Sequence, residues 1–246
     1  MLHYVQIGNK KSADTLLFVH GSGNTYKIFG EVYKHLTNYN CILIDLNGHG
    51  ESKGECSSTL EGYADNVIDF IKNSNSTRNQ NKITLIGYSL GGSIVLSIAL
   101  KKLPNIKQAI IISGASKFDK LKDIKAMKEL HKSGKIDIDF FNKCMSNQPN
   151  PLVYKYMHIS KSDPKVSIND LAICENLDIS NKIKDIDIPV KIIIARDEIS
   201  VLLKYAERDN AKIKNSTLTI FENGRHFLLV VHGKEVAKEI AGFVSG

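Results

Sequence analysis

Ser89 lies in Gly87-Tyr88-Ser89-Leu90-Gly91, where the apolar run Ile83–Gly87 gives way to a helix-compatible stretch starting at Leu90. A serine in so tight a strand-to-helix turn is forced into an unusual backbone conformation, and its side chain stands clear of the sheet. Glycine at 87 and 91 lets strand and helix approach closely. The helix N-terminus aims free N–H groups and a positive dipole end at the same spot. This suits a nucleophile that attacks a carbonyl carbon.

Such a serine needs a base, and the base needs an orienting acid. Of eight histidines, His226 follows the last strand-like run, Thr217–Phe221, after the short polar loop Glu222-Asn223-Gly224-Arg225. Asp197 comes just after the run Val190–Ala195 and is the expected acid, with its neighbour Glu198 in reserve. Asp197 is also a candidate N-cap for a helix from Val201. His20-Gly21-Ser22-Gly23 follows the run Thr15–Val19. A glycine-rich turn there brings backbone N–H groups close to a bound group, and acyl transfer needs such donors around the developing oxyanion. The expected donors are the N–H groups of Ser22 and Leu90. His20 is read as pinning this loop. Asp45-Leu46-Asn47-Gly48-His49-Gly50-Glu51-Ser52 is read as architectural, with Asp45 and Ser52 tying the turn through side-chain-to-backbone bonds; His49 is not assigned to the pocket.

Six short, nearly continuous apolar runs must position these groups: Thr15–Val19, Cys41–Asp45, Ile83–Gly87, Ala109–Ser113, Val190–Ala195 and Thr217–Phe221. Continuous rather than alternating apolarity marks strands buried on both faces of a parallel sheet. Leu2–Ile7 is a weaker run, expected at an edge. Helices are expected over 26–36, 59–72 (capped by Ser58 or Thr59), 90–102, 201–213 and 233–244. The βαβα order predicts an α/β fold with a mostly parallel, doubly wound sheet. The rhythm breaks between Ala115 and Ile188. There Phe118, Leu121, Ile124, Met127 and Leu130 recur at helical spacing, Phe140 and Phe141 follow, Asn147–Pro151 reads as a turn, and helical stretches surround Tyr154 and Leu171. The expected organisation is a core of residues 1–114 and 189–246 with a helical cap, 115–188, inserted between them.

Composition narrows the function classes. With 42% hydrophobic residues the 246-residue chain can bury a real core, which excludes a disordered tail. No apolar run reaches the ~18 residues of a membrane span, and the start lacks the pattern of a secretory signal. Cys41, Cys56, Cys144 and Cys174 form no CxxC pair and read as free thiols of a reducing compartment, so the expected location is cytoplasmic. A net charge of +7 raises a nucleic-acid role, but the lysines are scattered and no RNP, KH or zinc-finger pattern accompanies them. No nucleic-acid or integral membrane partner is expected.

The ordered motifs HGSG (20–23), DLNGHGES (45–52), GYSLGG (87–92), ARDE (195–198) and GRHF (224–227) resemble those of the α/β-hydrolase superfamily, and the resemblance covers almost the whole chain. It implies Ser89 as nucleophile, Asp197 as acid, His226 as base, Ser22 and Leu90 as oxyanion-hole residues, and 115–188 as the cap. Two features depart from the pattern. Arg225 stands between Gly224 and His226, where many members have glycine directly before the histidine, and only one weak strand precedes Thr15 where a hairpin is usual.

The chemistry these residues imply is two-step acyl transfer to water, with no metal or organic cofactor and with a small ester-like molecule as substrate. Esters or thioesters come first, carbon–carbon bond hydrolysis second, and a slow receptor-like binding module is the reading from another class. Lys117, Lys120, Lys122, Lys125, Lys128 and Lys132 in the cap are read as a solvated face rather than as a site for anionic substrates.

Overall fold

The computed structural model describes residues 1–118, 146 and 150–246. The chain begins with β1 (Tyr4–Gly8) and β2 (Thr15–Val19), then a 3₁₀ turn at Tyr26–Phe29 and α1 (Gly30–Tyr33). Next come β3 (Asn40–Ile44), α2 (Leu60–Asn73), β4 (Ile83–Tyr88), α3 (Leu90–Ala99) and β5 (Ile106–Ile112). Helices α4 (Pro151–Ile159) and α5 (Pro164–Asn176) precede β6 (Val190–Ala195), and α6 (Leu203–Lys212), β7 (Ser216–Phe221), α7 (Leu228–Val231) and α8 (Gly233–Ser245) complete the chain.

The strands form one seven-stranded sheet in the order β1-β3-β2-β4-β5-β6-β7, parallel throughout except where β1 pairs with β3. One edge strand, not a hairpin, precedes β2, as the weak run Leu2–Ile7 suggests. Every residue of β2, β3 and β4 is buried, which is why their sequences read as unbroken apolar runs. Alternate residues feed two cores. Leu17 and Val19 join the side chains of α2, α3 and α6, whereas Leu16 and Phe18 join those of α1, α7 and α8. Each fully buried aliphatic side chain contributes about 1.5–3 kcal/mol relative to exposure.

Local chemistry sets the helix ends. Thr59 caps α2 by accepting from the Gly62 N–H at 3.0 Å. α3 ends at Ala99, short of the expected Lys102, and Lys102 itself takes a left-handed φ of 53°. The expected single helix over 26–36 is instead a 3₁₀ turn followed by one α-turn that begins at Gly30. Glycine is a poor helix former, and here Tyr156 packs so closely that a Cβ would lie 2.2 Å from its hydroxyl. α7 was not anticipated, because four successive apolar residues carry no helical period.

The two ends of the segment between β5 and β6 are tied together. Lys117 bridges to Asp178 in an isolated antiparallel pair, and the Ile179 N–H donates to the Ser116 carbonyl at 2.9 Å. α4 and α5 form where helices were expected around Tyr154 and Leu171. Leu121, Ile124, Met127, Leu130, Phe140, Phe141 and the lysines at 120, 122, 125, 128 and 132 lie outside the described residues, as does Cys144. Lys117 is committed to Asp178, its ammonium 2.6 Å from the carboxylate. Among the described residues, Cys41, Cys56 and Cys174 form no disulfide. No helix among the described residues is long and apolar enough to cross a membrane.

Candidate active site

β2 lies between β3 and β4, so the chain reverses its direction of winding there. In open α/β sheets ligands bind outside the strand carboxyl ends at such a point. The loops after β2, β4, β6 and β7 all leave the sheet at this edge.

Ser89 joins β4 directly to α3 with φ 54° and ψ −121°. A non-glycine residue holds such a conformation only when its surroundings impose it. The glycines show what imposes it. A Cβ on Gly91 would sit 2.1 Å from the Val19 carbonyl oxygen, and one on Gly87 would sit 2.2 Å from that of Gly91. The helix therefore packs on bare backbone, and the serine is left at the top of the turn.

His226 follows β7. Its Nε2 lies 3.1 Å from Ser89 Oγ. Its Nδ1 lies 2.9 Å from Glu198 Oε2. The Glu198 side chain is fully buried, and its other oxygen accepts from the Ser200 N–H at 2.7 Å. With an acceptor on Nδ1, that nitrogen carries the proton and Nε2 is left to accept from the serine hydroxyl. Tyr88 holds the histidine from below, its hydroxyl donating to the His226 carbonyl at 3.0 Å. Burial first, then the nearby Glu198 charge, holds that phenol well above its ordinary pKa, so it stays a donor.

The expected acid, Asp197, does not reach the ring. Its Oδ1 accepts from the Arg225 N–H at 2.9 Å. Arg225 adopts a left-handed φ of 45°, and its side chain meets Asp197 only at 4.0 Å. The residue that interrupts the familiar Gly-His pattern thus occupies Asp197, and the next carboxylate along the loop faces the imidazole. Nor does Asp197 cap α6, whose N-cap position is Leu202.

The loop after β2 lies against the same turn. A Cβ on Gly21 would approach Ser89 Cβ to 2.8 Å, so only glycine lets the loop come this close. The N–H groups of Ser22 and Leu90 have no hydrogen-bond acceptor among the described residues. His20 pins the loop: its Nδ1 lies 2.9 Å from the Gly21 carbonyl, and its Nε2 accepts from the Leu46 N–H at 3.0 Å. Asp45 and Ser52 tie the following turn as expected. Asp45 accepts from the Tyr26 and Glu51 N–H groups, and Ser52 Oγ donates to the Asp45 carbonyl. His49 is fully buried and faces away from solvent, 2.8 Å from Asp170. Asp170 escaped the sequence reading. Its only signal is an acid on the buried face of a helix, at helical spacing from Ser167 and Cys174.

A family model described as serine aminopeptidase, S33 matches residues 10–230. The chain belongs to this family of α/β-hydrolase enzymes. A lipase-esterase related protein from Clostridium acetobutylicum ATCC 824 is 53% identical, covers 99% of both chains and superposes with a TM-score of 0.93. The esterase EaEST from Exiguobacterium antarcticum shares the fold at 18% identity and a TM-score of 0.88, covering 100% of this chain and 96% of its own. A 2-succinyl-6-hydroxy-2,4-cyclohexadiene-1-carboxylate synthase from Citrobacter koseri is 29% identical over 44% of this chain and 41% of its own length. Protein phosphatase methylesterase 1 from Candida albicans is 23% identical over 66% of this chain and 44% of its own. The chain therefore spans less than half the length of either curated relative.

Proposed function

We propose that this α/β-hydrolase is a serine hydrolase that cleaves a small carboxylic ester or thioester through an acyl-enzyme. The observation that carries the reading is the unbroken relay from Ser89 Oγ to His226 Nε2, 3.1 Å, and from His226 Nδ1 to Glu198 Oε2, 2.9 Å. The esterase-related protein from Clostridium acetobutylicum, similar over its whole length, supports it.

In the first step Ser89 Oγ attacks the substrate carbonyl carbon and His226 Nε2 takes the hydroxyl proton. Glu198 holds the ring and stabilises the imidazolium that forms. The Ser22 and Leu90 N–H groups receive the oxyanion, and the loss of one such donor typically costs about 3 kcal/mol of barrier. As the tetrahedral intermediate collapses, the proton passes from His226 to the leaving alcohol or thiol. Water then attacks the acyl-enzyme with His226 as base, releasing the acid and restoring Ser89. Glu198 takes the acid's role, and Asp197 holds the histidine loop. The described helices of the insert, α4 and α5, serve as part of the cap.

A screen of p-nitrophenyl esters of graded chain length, acyl-CoA thioesters and a vinylogous diketone tests this. Turnover of at least one ester or thioester, reduced by about 10³-fold or more in Ser89→Ala, is expected. Turnover of the diketone alone, or of nothing by correctly folded protein, would overturn it.

A further inference from the structure

We infer that Asp170 is a positioning residue that fixes the loop carrying the Ser22 amide, acting from α5 through the Gly23 N–H. The inference rests on the hydrolase reading, because it concerns one of that reading's oxyanion donors.

Asp170 is completely buried. Its Oδ2 accepts from the Gly23 N–H at 3.0 Å and lies 2.8 Å from His49 Nε2. Its Oδ1 accepts from the Tyr63 hydroxyl at 2.7 Å and, more distantly, from Asn169 Nδ2 at 3.5 Å. Every partner is a donor, as a buried carboxylate requires. These partners come from three separate segments, so one side chain ties α5 and α2 to the loops after β2 and β3.

Gly23 is held on its other sides too. Its carbonyl accepts from the Ser162 N–H at 2.7 Å. Ser162 Oγ donates to the Asn24 carbonyl at 2.8 Å. Gly23 has φ 62°, and a Cβ there would lie 2.0 Å from Ser167 Oγ on α5. Ser22 is therefore strung between two fixed points: Gly21, pressed against Ser89, and Gly23, gripped by Asp170. The rings of His49 and His20 meet at 4.8 Å between centroids, so the partner of Asp170 also packs on the residue that pins the loop's start.

Stability alone does not call for this arrangement, since well-packed apolar groups often replace buried ionic groups at no cost. An oxyanion donor does call for it. Such a donor must be aimed before the charge appears, and a misplacement of about 1 Å can cost about 10²-fold in rate.

The test compares wild type, Asp170→Ala and Asp170→Asn on a p-nitrophenyl ester that the enzyme turns over, and on an aryl boronic acid that forms a tetrahedral adduct with serine. The asparagine can keep three of the four contacts, its oxygen accepting from Gly23 and His49 and its amide donating to the Tyr63 hydroxyl oxygen, and loses the distant one to Asn169. For Asp170→Ala we expect kcat to fall roughly 10- to 100-fold with KM within about twofold. Boronate affinity should weaken by a similar factor. Asp170→Asn should fall only about three- to tenfold, and it carries the test if the alanine variant does not fold. Wild-type kcat and boronate affinity in a folded variant, whatever its melting temperature, would overturn the inference and leave the hydrolase reading intact. A wild type that neither turns over esters nor binds the boronate would overturn the reading, and the inference with it.

Discussion

Glu198 and His226 meet at 2.9 Å, while Asp197, one residue earlier on the same loop, turns to the backbone of Arg225. Two adjacent carboxylates therefore have different partners. Glu198→Gln should lower kcat by about 10³–10⁴-fold, because the amide cannot hold the tautomer or stabilise the imidazolium. Asp197→Asn keeps an oxygen for the Arg225 N–H and should cost less than about tenfold. Steady-state kinetics of both variants decide the matter, and equal losses in the two would contradict the assignment.

The glycines around Ser89 separate folding from chemistry. At Gly91 an added Cβ would meet two backbone carbonyl oxygens, at 2.1 and 2.5 Å, and neither can step aside. Gly91→Ala should lose about 3 kcal/mol or more, or fail to fold. At Gly21 the nearest atom is Ser89 Cβ itself, at 2.8 Å. Gly21→Ala should stay folded but lose most of its activity. Urea unfolding and esterase assays on the two variants check the contrast, which a reversed order would refute.

His20 gives a pH dependence of stability. Burial, reinforced by His49, lowers its pKa from 6.5 to about 3, against the opposing bond to the Gly21 carbonyl. Between those values the unfolded chain binds a proton at this residue and the folded chain does not. Its contribution is therefore full above pH 6.5 and is lost as the pH falls toward about 3. The loss is on the order of a few kcal/mol. Unfolding free energies from pH 7 down to 4.5 should fall more steeply for wild type than for His20→Gln, by up to about one proton. Parallel slopes would count against it.

Tyr88→Phe removes the hydroxyl that supports the His226 carbonyl at 3.0 Å and leaves that buried acceptor unpaired. A stability loss of about 1–3 kcal/mol is expected. It should be accompanied by a fall of several-fold in kcat with little change in KM. A variant with unchanged denaturation midpoint and kcat would show that the contact is incidental.

Much of this arrangement could be read from residue order. The unbroken apolar runs are legible because parallel strands are covered on both faces, and the weak Leu2–Ile7 run is legible because an edge strand is only half covered. Gly87 and Gly91 mark the turn at Ser89 because an added Cβ at either would meet backbone atoms. Asp197 was misread because strand ends fix where a loop begins, not which way neighbouring side chains turn. The choice fell to Arg225 and Ser200, whose N–H groups each claim a carboxylate oxygen. Asp170 lay beyond reach for a different reason. Its partners at 23, 49 and 63 are more than 100 residues away in sequence, and nothing local to α5 announces them.

The reactivity of the Ser89 hydroxyl is the most direct measure of the proposed relay. Folded wild-type protein treated with a fluorophosphonate should gain one adduct rapidly, mapped by peptide mass spectrometry to Ser89, and Ser89→Ala should gain none. A folded wild type that stays unlabelled, or an adduct on another residue that persists in Ser89→Ala, would contradict it.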